Sequence, residues 1–165
     1  MNQKRDAKRL DGHRLTEFIY GTVVALVAIA GIDPAHAGWW SGVAVVVIGG
    51  VAIWLAHAYS TLMSHRITSG HRISGSDVSE ALTSSWPIVS AALLTAVPIL
   101  GVALSLYAMQ TALLLASIVG VIILALVGAV AGIITQETWP RRLVLVLLSS
   151  GLGLLVVSIE VVIHH

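Results

Sequence analysis

Residues 111–135 read TALLLASIVGVIILALVGAVAGIIT, a continuous apolar segment without a single charged side chain. An α-helix rises about 1.5 Å per residue, so a segment of this length can cross a hydrocarbon core about 30 Å thick. Apolar and polar residues do not alternate here, as they would in a barrel strand, and a spanning helix satisfies its own backbone hydrogen bonds. The segment therefore predicts a transmembrane helix.

Four further apolar segments have the same character, and we expect each to span the bilayer: residues 15–32, 39–63, 86–109 and 143–163. The 165-residue chain is 57% hydrophobic and 10% charged, whereas an ordinary soluble domain is about 25% charged. Its net charge of +1 offers no basic face for nucleic acid. We predict an all-α polytopic membrane protein, in which a single five-helix transmembrane domain over residues 15–163 meets the lipid bilayer.

The basic residues define the expected orientation. All nine lie in a basic N-terminal segment (residues 1–14), in a loop over residues 64–85 and just before the last span: Lys4, Arg5, Lys8, Arg9, Arg14, Arg66, Arg72, Arg141 and Arg142. With five spans these segments share one side, which the positive-inside rule makes cytoplasmic. We expect a cytoplasmic N-terminus and an outside C-terminus in a bacterial inner membrane. Residues 76–80, SDVSE, predict a short amphipathic helix in the loop, and Gln110 marks a very short link between spans three and four.

Three ionisable residues lie within the predicted spans: Glu17, His57 and Glu160. Such residues are costly in a bilayer and frequently mark ion pathways. Spans one and two run in opposite directions, so Glu17 and His57 reach a similar depth, with Tyr20 and Trp54 nearby. We predict that these residues form an ion pathway or gate, with Glu160 at its outer mouth. The alternative is structural: a shallow Glu17 pairs with Arg14, and His57 bonds a neighbouring helix.

A weaker pattern suggests a divalent-cation site at the outer side. Glu160 and His164 are spaced i, i+4 and project from one helix face, and Asp33 and His36 lie in the first outer loop. The alternative is that the terminal histidines are frayed or foreign to the native chain. The chain has no cysteine, which excludes thiolate ligands. We expect no cofactor other than a bound cation.

Small residues recur at helical spacing and predict close helix packing. They form one ridge on each of spans two, four and five: Ala52, Ala56 and Ser60; Gly128 and Gly132; Ser149 and Gly153. Five short spans enclose little volume, so we expect any pore to form between subunits of a homo-oligomer.

Two motifs resemble the endolysosomal potassium-channel family and its bacterial relatives. Arg14, Phe18 and Gly21 match its first-helix signature R-x-x-x-F-S-D-G, and Trp54 and His57 match its second-helix W-x-x-H. Ile19 and Tyr20 replace the Ser and Asp of the signature, and that family has six spans per repeat. The resemblance implies potassium conduction through these two helices.

Two other resemblances concern the whole architecture. Five spans with this orientation are similar to the vacuolar iron transporter family, whose members are dimeric. Tyr20 and Gly21 resemble the F-G of its first helix. The acidic metal-pathway residue that follows in that family is missing here, and Val24 lies near its place. The chain also resembles small bacterial integral membrane proteins with a Y-G-T first span and a W-x-A-H second span. That last likeness implies a family without implying an activity.

These observations favour an oligomeric channel or transporter for a cation, namely a proton, potassium or a divalent metal. The alternative is a non-transporting scaffold or regulatory subunit that acts through helix packing. We do not expect an enzyme, because the spans contain no serine–histidine–acid set, no H-E-x-x-H motif and no paired aspartates.

Overall fold

A computed structural model describes the backbone of residues 2–69 and 73–163, and the side chains of residues 14–68 and 73–158. The described chain is all-helical. It consists of six helices: α1 (Asn2–Ala30), α2 (Trp39–Ser69), α3 (Gly75–Ser84), α4 (Trp86–Ala103), α5 (Met109–Ile134) and α6 (Trp139–Ile163). α1, α2 and α6 extend beyond the predicted apolar segments, because hydropathy marks only the part of a helix that would contact lipid.

Four helical stretches of the described chain are long and apolar enough to cross a membrane: Trp39–Thr68, Gly75–Ala103, Met109–Ile134 and Trp139–Ser158. The second of these joins α3 and α4. α1 is not among them; its apolar part is the shortest of the five predicted spans and contains Glu17. The architecture is therefore that of a membrane-embedded helical bundle.

Contacts between helices fix their directions. Gly42 lies against Ile99, and Gly50 lies against Ala92, so α2 and α4 are antiparallel. α1 and α2 are joined by a short link over residues 31–38 and meet again at the Glu17–His57 pair, far from that link, so they too are antiparallel. α1 and α4 therefore run in the same direction. Four described arginines, from three helices, consequently lie at one end of the bundle: Arg14 in α1, Arg66 in α2, and Arg141 and Arg142 in α6. We call this the basic end and the opposite one the Trp39 end.

Two small-residue ridges pack within the chain. A Cβ placed on Gly128 would lie 2.8 Å from the Ser149 hydroxyl, and one placed on Gly153 would lie 2.9 Å from Leu124. Gly132 lies equally close to the side chain of Arg142. These contacts hold α5 and α6 together as an antiparallel pair, which is the geometry that small residues permit.

The ridge on α2 has a different place. Its members, Ala52, Ala56 and Ser60, are exposed on the outer face of the bundle. The helix uses other residues, among them Val46 and Ala58, to bury its inner face. A role for this ridge in contact with a second subunit remains a prediction.

α4 ends at Ala103, six residues before the predicted end of span three at Met109. Ser105 adopts a left-handed conformation with φ of 55°, and the Leu106 N–H donates to the Gly101 carbonyl. This hydrogen bond closes a Schellman motif, which ends a helix. The link to α5 is therefore longer than Gln110 alone, and Gln110 lies inside α5. Apolarity continues past the helix end, so hydropathy alone overestimates the helix length.

Glycine at these helix ends is expected to stabilise the protein. Gln136 closes α5 with the same motif and a φ of 54°, and a left-handed residue other than glycine costs about 1–2 kcal/mol. Ser105→Gly and Gln136→Gly should each raise the free energy of unfolding by about 0.5–1 kcal/mol, measured by denaturant titration in detergent micelles. Ser150→Gly, inside α6, is the control and should lower it. A loss of stability in both end variants would contradict the assigned conformations.

α3 begins at a capping box and stops at a proline break. The Ser74 hydroxyl accepts from the Asp77 N–H, and the Asp77 carboxylate accepts from the Ser74 N–H at 2.8 Å. The predicted short helix is present here, and its cap lies at Ser74, two residues before the SDVSE segment. Pro87 at the start of α4 has no N–H and cannot continue the hydrogen bonding of α3, so the helix is interrupted at Ser85.

Candidate functional site

The structure brings Glu17 and His57 together near the basic end. The His57 Nε2 atom lies 3.1 Å from a carboxylate oxygen of Glu17. The Glu17 side chain is 2% exposed, whereas that of His57 is 36% exposed. A buried carboxylate thus lies behind an imidazole that reaches the surface of the bundle. Such a pair can exchange a proton or contribute ligands to a cation.

Gly21 explains how Glu17 comes to be buried. A Cβ placed on Gly21 would lie 2.6 Å from the carbonyl oxygen of Ile88, so α1 and α4 approach backbone to backbone at this point. Glu17 lies one turn nearer the basic end on the same face of α1. The close approach covers the carboxylate with protein on the α4 side.

The two aromatic residues predicted at the pathway occupy different positions. Tyr20 is half-exposed, and its ring centroid lies 6.4 Å from that of His57. The Trp54 indole N–H donates to the Leu82 carbonyl at 3.0 Å, and its ring packs edge-on against Trp86. Tyr20 therefore borders the Glu17–His57 pair, while Trp54 connects α2 to the end of α3.

Sequence reasoning missed Ser85. Its side chain is fully buried, and its hydroxyl oxygen has no hydrogen-bond partner among the described residues. Gly21 lies against Ile88, and α1 and α4 run in the same direction. One turn towards the basic end from this contact are Glu17 on α1 and Ser85 at the start of α4. Ser85 thus lies at the level of the buried carboxylate. The available signal was Pro87, which marks a helix start two residues after a serine in a segment otherwise interpreted as loop.

A cavity of about 250 Å³ opens between α2 and α3 at the basic end. Its lining mixes apolar and ionisable side chains: Thr61, Leu62, His65, Asp77, Glu80, Ala81 and Ser84. The Thr61 hydroxyl donates to the His57 carbonyl, so the cavity reaches to within one helical turn of the Glu17–His57 pair. It offers polar groups next to the buried site.

Two of the four ligands predicted for a divalent cation, Asp33 and His36, have described side chains. The His36 Nδ1 atom lies 2.6 Å from the Asp33 carboxylate, and both side chains are exposed at the Trp39 end. The other two ligands, Glu160 and His164, lie outside the residues whose side chains are described. In the described part of the chain no three potential ligands gather to hold a metal ion.

The Glu17–His57 contact is expected to be energetically coupled. Residues in direct contact typically show interaction energies of about 0.5–3 kcal/mol in double-mutant cycles. We expect Glu17→Gln, His57→Phe and the double variant to give a coupling of at least about 0.5 kcal/mol when unfolding is measured in detergent. The pair Glu17→Gln and His36→Phe, at opposite ends of the bundle, provides the control cycle. Equal, near-zero coupling in both cycles would show that the contact contributes nothing to stability.

No protein-family model, no curated protein and no solved structure matches this chain.

Proposed function

We propose that this chain is a five-span membrane protein that passes a small cation across the bilayer, as an oligomeric channel or transporter, with the Glu17–His57 pair as its gate. The supporting observation is the burial of an acidic side chain beside an imidazole in a bundle of membrane-length helices. Ionisable groups at such positions are expensive, and in membrane proteins they commonly belong to ion pathways.

In the proposed topology, α1 is a fifth membrane span in addition to the four membrane-length stretches. The basic end would then face the cytoplasm, with the N-terminus inside, the C-terminus outside and the bacterial inner membrane as the location. Aromatic residues support a bundle that spans the membrane, because tryptophans lie at both of its ends, with Trp39 and Trp40 at one end and Trp86 and Trp139 at the other. Such belts are typical of the two membrane interfaces.

Ion access is the next element of the proposal. The cavity between α2 and α3 would admit a hydrated ion from the cytoplasm to the half-exposed imidazole of His57. Asp77 and Glu80 in its lining would favour cations over anions. From His57, the ion or proton would meet the Glu17 carboxylate.

Flux through reconstituted protein tests the proposal. Proteoliposomes should show protein-dependent uptake of at least one cation when protons, potassium, sodium and a divalent metal are assayed in parallel under an imposed gradient. Empty liposomes are the baseline. Absence of protein-dependent flux for every one of these ions, with the protein shown to be folded, would overturn the proposed function.

A second candidate function is a scaffold or regulatory subunit. Two exposed surfaces favour it. One is the α2 ridge, and the other is α6, in which only 6% of the most apolar stretch is buried inside the bundle, against 44% in α5. A partner helix could cover either surface. Crosslinking in native membranes distinguishes the two functions: a scaffold should lose its crosslinks on Ala56→Leu and keep them on Glu17→Gln.

A further inference from the structure

The segment Gly75–Ala103 is a discontinuous helix at membrane-spanning length. α3 ends at Ser84 and α4 starts at Trp86, with Ser85 as the joint between them. Pro87 removes the N–H that would bond to the Thr83 carbonyl in a continuous helix. In membrane proteins such breaks are tolerated where they are buried in protein or line a cavity. At this break the Thr83 carbonyl accepts from the Ser85 N–H, and the Leu82 carbonyl accepts from the Trp54 indole N–H.

Three observations converge at this break. The hydroxyl of Ser85 is buried without a hydrogen-bond partner in the described structure, which is energetically unfavourable. The buried Glu17 carboxylate lies at the same level on the adjacent α1. The carboxyl end of α3, which carries a partial negative charge, lies directly before Ser85. The carboxylate and the hydroxyl are both oxygen ligands, which hard cations prefer.

We infer that the break at Ser85 forms a sodium-ion site, with the Glu17 carboxylate and the Ser85 hydroxyl as ligands from two helices. A monovalent ion suits the site because the described structure places one carboxylate there, that of Glu17. The His57 Nε2 atom lies 3.1 Å from a Glu17 carboxylate oxygen and would help to orient the carboxylate. The inference rests on the proposed cation passage for its role in the cell, but binding can be measured without flux.

Thermal unfolding of the full chain in detergent tests the site. At equal ionic strength, the unfolding midpoint should be higher in sodium chloride than in choline chloride by roughly 3 °C or more, because an ion that binds only the folded state stabilises it. Potassium should give a smaller shift. Ser85→Ala and Glu17→Gln should remove the sodium shift. Ser117→Ala, which alters another buried serine in α5, should retain it.

Ser85→Cys provides a second variant of similar volume, in which sulfur replaces a hard oxygen ligand; it too should lose the sodium shift. Equal midpoints in sodium and choline for the unchanged protein would overturn the inference, as would a full sodium shift in both Ser85 variants or an equal shift with potassium. Cation flux without a sodium shift would reject this site and leave the proposed function standing. A sodium shift without any flux would support this site and reject the proposed function.

Discussion

Gly21→Ala is expected to be strongly destabilising, because it adds a methyl group where the backbones of α1 and α4 are in contact. The new Cβ would lie 2.6 Å from the carbonyl oxygen and 2.7 Å from the Cα of Ile88. Both atoms belong to backbone, so no side-chain rotation can relieve the contact, and α1 and α4 would have to separate. Forced overpacking of this kind costs about 1–3 kcal/mol.

The measurement is the free energy of unfolding of the purified protein by denaturant titration in detergent micelles. Gly49→Ala is the matched control, since a Cβ at Gly49 would meet nothing within 4 Å. Alanine favours a helix over glycine by up to about 1 kcal/mol, so the control should be neutral or stabilising. If both variants proved equally stable, the backbone contact between α1 and α4 would be refuted.

Glu17→Gln is expected to reduce cation flux by more than about tenfold. The amide keeps the volume of the side chain and its contact with His57, but it carries no negative charge and cannot take up a proton. A tenfold loss corresponds to only about 1.4 kcal/mol in the barrier. Placing a charge at membrane depth costs about 2.5–3.5 kcal/mol on insertion scales, so a fixed counter-charge has a comparable effect on a passing cation.

Glu137→Gln is the control for this prediction. Glu137 also lies near the basic end, where its carboxylate accepts from Arg141 at 3.2 Å, but it belongs to the link between α5 and α6, away from the Glu17–His57 pair. Its replacement should leave flux within about twofold of the unchanged protein, since surface ion pairs have small effects. Both variants are reconstituted at equal protein-to-lipid ratio and compared by initial rates.

Hydropathy was sufficient to predict the helical class and most of the helix positions. The predicted span over residues 111–135 differs by only one or two residues at each end from α5. The antiparallel order of spans one and two was enough to predict that Glu17 and His57 lie at a similar depth, and the structure shows the two side chains in contact. These inferences succeed because lipid imposes one strong requirement on every spanning segment, namely a continuous apolar helix.

Helix ends and breaks were beyond the reach of hydropathy. The end of α4 depends on the left-handed conformation of Ser105, which a serine adopts only because the surrounding contacts fix it; the Tyr107 hydroxyl, for example, donates to the Pro98 carbonyl at 2.7 Å. Ser85 was missed for a related reason. Its importance comes from its burial at the junction of α3 and α4, and burial is a property of tertiary packing that a polar residue in a short linker does not reveal.

The α2 ridge shows a further limit. The spacing of Ala52, Ala56 and Ser60 is the same as that of Gly128 and Gly132, yet only the glycines on α5 are packed within the chain. Small residues at helical spacing indicate that a close approach is sterically possible. They do not identify the helix that approaches.

The most direct test of the account is the comparison of initial cation uptake by proteoliposomes that contain the unchanged protein, Glu17→Gln or Glu137→Gln. We predict protein-dependent uptake in the first and third preparations and a loss of more than about tenfold in the second. Equal uptake in all three, or none in any, would contradict a role for the buried carboxylate in moving ions.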